Sequence, residues 1–164
     1  MKVAVSACLL GVPCRYDGKA KPCAAVKEFL VANVCPDDVV RICPEVMGGL
    51  KIPHPPSEIQ TDLLPEVVVH DVEGTDTTKA FELGAQVALN TAQQAGCTHA
   101  ILKAKSPSCG VGKIYDGTFT DTLVEGNGVA AQAFIDAGII VSTEDDFQEV
   151  LRSGIDPQAA RLQG

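Results

Sequence analysis

The sequence predicts a single α/β domain with a doubly wound, mostly parallel sheet and helices on both faces. Apolar segments typical of buried strands alternate along the chain with segments of helical composition. The strand segments are apolar throughout, as expected for a sheet covered on both faces. A length of 164 residues suits one compact domain with a substantial core. Together these observations indicate a Rossmann-like architecture.

Composition and spacing predict five strands and four helices. The strands are expected at residues 2–6, 38–43, 66–70, 98–103 and 138–142. The helices are expected at residues 24–32, from 76 or 77 to 94, at 127–137 and at 143–151. Asp76 or Thr77 is the expected N-cap of the second helix, and Thr143 that of the fourth. The domain is expected to span residues 1–164, with a C-terminal helix or tail after about residue 152. The loop after Lys103 has room for a hairpin.

The charge and hydropathy of the chain argue against several classes of function. The formal net charge is −8, whereas extensive, sequence-independent contact with nucleic acid requires a basic face. The sequence contains no apolar run long enough to span a membrane. The first ten residues have the pattern of a strand and not of a signal peptide. We therefore expect a cytoplasmic protein that acts on a small molecule.

The cysteines are the most informative residues. The chain has seven, and without an export signal they favour metal binding or catalysis over disulfides. Cys8, Cys43 and Cys109 each follow a predicted strand. Because the carboxyl ends of parallel strands meet at one edge of a sheet, these three thiols are expected to converge. Structural zinc sites usually have four ligands in short paired spacings, which this pattern lacks.

Two interpretations of the three thiols remain open on spacing alone. A [4Fe-4S] cluster held by three cysteines has one iron without a protein ligand, which can act as a Lewis acid. The alternative is that the cysteines are small buried hydrophobic residues. Glu45 lies two residues after Cys43, so in an extended chain both side chains point to the same side. Glu45 is thus expected to face the cysteine site, or else to cap the turn or pair with Arg15 or Arg41.

Four stretches of the chain resemble the thiouracil desulfidase family, in the same order: VSACLLGVPCRYDGK, CPEVMGGLKIPHPP, LKAKSPSCGVGKIYDGTF and LVEGNGVAAQAF. The resemblance covers about residues 1–145. It implies a [4Fe-4S] cluster bound by Cys8, Cys43 and Cys109. It also implies removal of sulfur from a thiolated pyrimidine, giving uracil and hydrogen sulfide without net redox change. Within that reaction, Glu45 is implied as the acid/base and Ser106 as a supporting serine.

Two positions depart from this pattern or vary within it. Relatives can carry Val where this chain has Cys14, which makes Cys14 a weaker candidate for a ligand. The family typically has Arg where this chain has His54, and the histidines show no ligand spacing, so a surface or satisfied role is expected for His54.

The alternative functions are sulfur transfer or dehydration at the same open iron. A non-catalytic module that binds a metal or nucleotide is a further alternative.

Overall fold

The computed structural model describes residues 1–153, which form eight strands and five α-helices. The strands are β1 (Val3–Ser6), β2 (Val39–Ile42), β3 (Ser57–Ile59), β4 (Val69–Asp71), β5 (His99–Leu102), β6 (Lys113–Tyr115), β7 (Leu123–Glu125) and β8 (Ile140–Thr143). The helices are α1 (Ala24–Asn33), α2 (Pro44–Met47), α3 (Thr78–Ala95), α4 (Val129–Asp136) and α5 (Phe147–Ser153). None of these helices has the length and hydropathy needed to cross a membrane.

The central sheet has four parallel strands in the order β2-β1-β5-β8. In the register, Val3 lies opposite Val39 on one side and His99 on the other. The predicted α/β class with a parallel sheet is therefore confirmed. The four predicted strands of this sheet match the observed ones to within two residues. The order of the strands bears on the candidate cysteines. Cys43, Cys8 and Cys109 follow β2, β1 and β5, and these three strands are adjacent in the sheet.

The third predicted strand, at residues 66–70, does not belong to the parallel sheet. The observed β4 pairs antiparallel with β3 in a separate two-stranded sheet, with Ile59 opposite Val69. Val69 is fully buried, but Val67 is 38% exposed, so the valine run is not covered on both faces. A second antiparallel pair joins β6 to β7. This pair is the hairpin for which the sequence after Lys103 leaves room.

The helices α1, α3 and α4 begin and end within two residues of their predicted bounds. The predicted start of the fourth helix, at Thr143, is wrong, because Thr143 ends β8 and α5 begins only at Phe147. The N–H of Thr143 donates to Asp146 Oδ1 at 2.7 Å, so these two residues form a turn before the helix. Most of the predicted segment after residue 152 lies outside the described residues.

Two hydrophobic clusters pack on opposite faces of the parallel sheet, because successive side chains of a strand alternate between faces. On one face, Val3 and Val5 pack with residues of α1 and α5. On the other face, Ala4 packs with residues of α3 and α4. The helical partners are Val26, Leu30, Phe147 and Leu151 on the first face, and Ala88, Leu89, Ala131 and Phe134 on the second. The sheet is thus fixed from both sides, and its carboxyl edge is left to the loops.

The short helix α2 packs against α3 through two glycines. A Cβ atom on Gly84 would overlap the carbonyl oxygen of Pro44, and one on Gly48 would overlap that of Ala80. The two backbones are therefore in direct contact, which no other residue type permits. This contact fixes the position of Pro44, the residue between Cys43 and Glu45.

We expect the substitution Gly84→Ala to lower the free energy of unfolding by about 1–3 kcal/mol, as overpacking does. The direction of this change in unfolding free energy is informative, because alanine normally stabilises a helix interior by about 1 kcal/mol relative to glycine. Urea denaturation followed by circular dichroism measures the change. Gln86→Ala, at an exposed position of the same helix, is the matched control and is expected to stay within about 0.5 kcal/mol of the parent protein. A Gly84→Ala protein more stable than the parent would contradict the backbone contact.

Candidate active site at the carboxyl edge of the sheet

Three cysteines lie just beyond the carboxyl ends of three adjacent parallel strands. Cys8 is in the 3-10 turn Ala7–Leu10 that follows β1, and Cys43 lies between β2 and α2. Cys109 lies in the loop after β5. Cys8 and Cys109 are buried, and Cys43 is partly buried. Parallel strand polarity brings these positions, far apart in sequence, to one edge of the sheet.

A fourth thiol, that of Cys14, joins this group. It is buried and lies in hydrogen-bonding contact with the thiols of Cys8 and Cys43. The Cys43 thiol also donates to the carbonyl oxygen of Cys14 at 3.6 Å. Gly11, with φ of 93°, ends the turn after β1 in a left-handed conformation, three residues before Cys14. Cys14, the weaker candidate for a ligand in the sequence, is thus a direct neighbour of the stronger candidates Cys8 and Cys43.

Burial and mutual contact raise the pKa of three of these thiols. Contact with the Cys14 thiol, followed by burial, raises the pKa of Cys43. The pKa of Cys14 is lowered by its contact with Cys43 but raised by Cys8 and burial, which leaves it at about 11. Burial raises the pKa of Cys109 to about 12, against hydrogen bonds from Ser6 and Ser108 that lower it. These thiols are therefore protonated at neutral pH, and metal binding would release protons.

Glu45 lies in the first turn of α2 and not in an extended strand. The prediction that the chain stays extended from Cys43 to Glu45 is wrong, because it becomes helical at Pro44. The Glu45 side chain is only 17% exposed, and burial raises its pKa. Its charge raises the pKa of both Cys43 and Cys109. The carboxylate is thus close enough for its charge to be felt by both thiols. It is held there by a helical turn and not by an extended strand.

His54 is the partner of Glu45 that the sequence did not predict. Its Nε2 atom lies 3.7 Å from Glu45 Oε1, an ion-pair distance, and its side chain is only 10% exposed. Its Nδ1 atom lies 2.8 Å from the carbonyl oxygen of Pro55, so Nδ1 carries a hydrogen and donates. The backbone N–H of His54 donates to the carbonyl oxygen of Tyr16 at 2.9 Å. The available signal was the position of His54 after the MGGL loop, where the resembling family typically has Arg.

Ser106 organises the loop that carries Cys109. Its Oγ atom accepts hydrogen bonds from the backbone N–H groups of Ser108 and Cys109, each at 3.1 Å. The hydroxyls of Ser106 and Ser108 lie 2.9 Å apart. Ordinary turn chemistry therefore accounts for part of the role of Ser106.

A cavity of about 570 Å³ opens beside these residues. Cys8, Glu45 and Ser106 all line it, whereas Cys43 and Cys109 are not part of its wall. The rest of the wall includes charged and aromatic side chains, among them Arg15, Tyr16, Lys21, Glu58, Lys103, Lys105, Tyr115 and Phe119. Lys103 is paired with Glu144 at 2.8 Å. Arg41, considered from sequence as a partner of Glu45, instead lines a second cavity beside α1 and β2.

The sulfur donors at this edge have the chemistry that an iron–sulfur cluster requires. Within residues 1–153, no three or more Cys, His, Asp or Glu side chains are grouped as a site for one ion. In a [4Fe-4S] cluster, each cysteine binds a different iron, so the thiolates are spread around a larger group. Thiolates are also the soft ligands that such clusters select. Cys8, Cys43 and Cys109, which come from three separate strand ends, match this donor set.

Comparison with known proteins identifies the family. A model of the 2-thiouracil desulfurase family matches residues 3–146. The chain belongs to the 2-thiouracil desulfurase family. This confirms the resemblance seen in the four sequence stretches, and the matched range contains all of the candidate site residues named above.

Two relatives illustrate how far the similarity to the desulfurase family extends. The chain is 34% identical over 154 residues to the uncharacterised protein YbbK of Bacillus subtilis (strain 168), covering 91% of this chain and 99% of YbbK. It is also similar to the solved structure of TudS, a [4Fe-4S]-dependent thiouracil desulfidase, with a TM-score of 0.82 and 38% identity. That match covers 93% of this chain and 96% of the TudS chain. The similarity therefore extends over the whole α/β fold.

Proposed function

We propose that this protein removes sulfur from thiolated pyrimidines such as thiouracil, at a [4Fe-4S] cluster bound by Cys8, Cys43 and Cys109. The overall reaction exchanges a C=S bond for a C=O bond, with water as the oxygen source and hydrogen sulfide as the second product. No electron is gained or lost. The observation that carries the proposal is that Cys8, Cys43 and Cys109 follow the carboxyl ends of three adjacent parallel strands, with Cys8 in the wall of a cavity that Glu45 and Ser106 also line. Membership of the desulfurase family supports it.

The proposed cofactor supplies Lewis acidity toward sulfur, which the side chains around the cavity lack. When bound by three cysteines, the cluster offers one thiophilic iron that acts as a Lewis acid toward a thiocarbonyl sulfur. The chain contributes the cavity that holds the pyrimidine ring, and a volume of about 570 Å³ is typical of a small-molecule site. It also contributes the groups that move protons.

Glu45 is the proposed acid/base. Its carboxylate lines the cavity and is shielded from bulk water, so it can take a proton from the attacking water and return it to a ring nitrogen. Ser106 is the proposed donor to the oxygen that forms at the ring carbon. Since Ser106 Oγ already accepts two backbone N–H groups, its own hydrogen is the part that remains to be donated. Because the Ser108 hydroxyl donates to Cys109 Sγ at 3.7 Å, the Ser106 hydrogen is the one that can bridge the two hydroxyls, and it would turn from Ser108 to the substrate oxygen.

We propose that the substrate is a small molecule and that the enzyme acts in the cytoplasm. The net charge of −8 disfavours extensive contact with a nucleic acid backbone. All seven cysteines are free thiols, a state that suits a reducing compartment and a cluster that needs thiolate ligands. Each candidate residue lies on the single α/β unit formed by residues 1–153.

An anaerobic assay tests this function. The protein is reconstituted with iron and sulfide, and then supplied with 2-thiouracil or 4-thiouracil without a reductant or sulfur acceptor. We expect brown protein and the release of uracil and sulfide in equal amounts. Sulfide release that requires an added thiol acceptor would instead indicate a sulfur transferase. Protein that stays colourless and inactive after reconstitution would exclude both the desulfidase and the other iron-dependent functions.

A further inference from the structure

The hairpin loop between β6 and β7 holds an aromatic side chain in the wall of the active-site cavity. Phe119 lies in this loop and lines the same cavity as Cys8, Glu45 and Ser106. It is only partly buried and lies outside the hydrophobic clusters of the described residues. Core packing therefore does not account for its position.

The backbone of this loop adopts a conformation that its residues rarely take. Phe119 and Asp121 both have φ of 57°, in the left-handed region that a bulky side chain such as phenylalanine seldom occupies. Such backbone conformations persist only where surrounding contacts hold them, and they are concentrated at ligand-binding and active sites. Contacts from neighbouring segments are therefore needed to hold the backbone at Phe119.

Glu58 provides these contacts from β3. One of its carboxylate oxygens, Oε1, accepts the backbone N–H of Gly117 at 2.9 Å and that of Phe119 at 3.2 Å. Charge-assisted hydrogen bonds of this kind are stronger than those between neutral groups. Glu58 itself lines the cavity, so its carboxylate is used to fix the loop at the site.

Two further contacts attach the loop to the segment after β3. The carbonyl oxygen of Asp116 accepts both the N–H of Thr61, at 3.2 Å, and its hydroxyl, at 2.6 Å. The backbone at Gly117 also lies against that of Ile59, because a Cβ atom there would be 2.7 Å from the Ile59 carbonyl oxygen. The loop is thus anchored at Asp116 and Gly117, just before Phe119, and at the N–H of Phe119 itself.

We propose that Phe119 is the residue that contacts the face of the pyrimidine ring and that Glu58 is a positioning residue for it. This inference rests on the proposed function, because it assigns a binding contact for that substrate. A pyrimidine is flat, and every base offers a π-face that an aromatic side chain can stack on. The wall also contains Tyr16 and Tyr115, both of which carry a hydroxyl. Tyr16 already has the Arg15 guanidinium over its ring at 5.6 Å and packs against His54 in a T-shaped arrangement. Phe119 adds an apolar ring, which suits stacking without competing for hydrogen bonds.

Substitution of Phe119 tests the contact. We expect Phe119→Ala to raise KM for thiouracil by roughly 5- to 150-fold, the usual range for loss of one base–aromatic stack, with kcat changed by less than about threefold. Phe119→Leu keeps an apolar side chain of similar bulk and is expected to lose most of this affinity too, whereas Phe119→Tyr retains it. Circular dichroism establishes that each variant is folded. The leucine and tyrosine variants keep the test decisive if the alanine variant does not fold.

Binding of uracil gives a readout that is independent of turnover. Isothermal titration with uracil should show the same order of affinities as KM. Glu58→Ala is expected to raise KM and weaken uracil binding, and Glu58→Gln, which keeps an oxygen acceptor for the two N–H groups, restores much of the loss. Thr120→Ala is the control, because Thr120 is exposed in the same loop and does not line the cavity.

Failure of this inference is distinguishable from failure of the proposed function. Unchanged KM and uracil affinity in Phe119→Ala, in an enzyme that desulfurises thiouracil, would overturn the role of Phe119 alone. A large fall in kcat with unchanged uracil affinity would also overturn it. If the reconstituted parent protein releases no sulfide and binds no uracil, both the function and the inference are wrong.

Discussion

Replacing Cys43 by Ala is expected to abolish cluster binding and sulfide release, whereas replacing Cys35 by Ala leaves both intact. Cys43 is one of only three proposed ligands, and a cluster with two remaining thiolates has two irons without a protein ligand. Cys35 is exposed and precedes the 3-10 turn Pro36–Asp38, outside the active-site cavity. Iron content, visible absorbance and thiouracil turnover after anaerobic reconstitution measure the difference.

The same experiment on Cys14 decides how many cysteines bind the cluster. Cys14→Val removes a thiol that contacts those of Cys8 and Cys43 but keeps an apolar side chain in a buried position. With three ligands, we expect Cys14→Val to retain its iron and visible absorbance. Loss of iron equal to that of Cys43→Ala would make Cys14 a ligand. Full iron content in Cys43→Ala would instead contradict the proposed cluster site.

The convergence of Cys8, Cys43 and Cys109 could be predicted because it depends on strand polarity alone. Continuous apolar segments indicate strands covered on both faces, and such strands are usually parallel. Once the strands are parallel, whatever follows each of them lies at the same edge of the sheet. No loop conformation has to be known for this step, which explains why it gives the correct edge.

The prediction was wrong where a local pattern has more than one structural solution. The valine run before His70 has the composition of a central strand, yet β4 pairs with the short strand β3 outside the parallel sheet. β3 itself has three residues and gives almost no periodic signal. Thr143 and Asp146 have the spacing of a helix start, but they form a turn that ends β8. In each case the tertiary partner decides between the two solutions.

No sequence pattern places His54 and Phe119 near the candidate site, because loops carry them, and Cys14 is only a weaker candidate for a ligand. Contacts from distant segments hold these loops: Glu45 pairs with His54, the Cys43 thiol donates to the carbonyl oxygen of Cys14, and Glu58 accepts the N–H of Phe119. Glu45 is a related case: the reason given for its position was wrong, since Pro44 starts a helix. It is near Cys43 in the sequence, and the packing of α2 on α3 at Gly84 holds the turn that places its charge near Cys109.

Glu45→Gln is expected to lower kcat for thiouracil by about 10²- to 10⁴-fold while leaving iron content unchanged. The glutamine has nearly the same shape but neither accepts nor delivers a proton at neutral pH, and general acid–base catalysis typically contributes a factor of this size. Since Glu45 is not a proposed ligand of the cluster, visible absorbance should match that of the parent. Single-turnover assays of sulfide release, on protein of equal iron content, measure the effect.

A matched control separates catalysis from a general effect of charge. Glu82→Gln makes the same chemical change at an exposed position of α3 and is expected to leave kcat within about twofold of the parent. If Glu45→Gln retains full activity with its iron, Glu45 takes no part in proton transfer, and the buried carboxylate at 3.7 Å from His54 is then a structural pair. If kcat falls but returns in Glu45→Asp, a carboxylate at this position is what the reaction requires. The Gly84 contact, which fixes Pro44 and hence the turn that carries Glu45, would then be part of what makes the cavity catalytic.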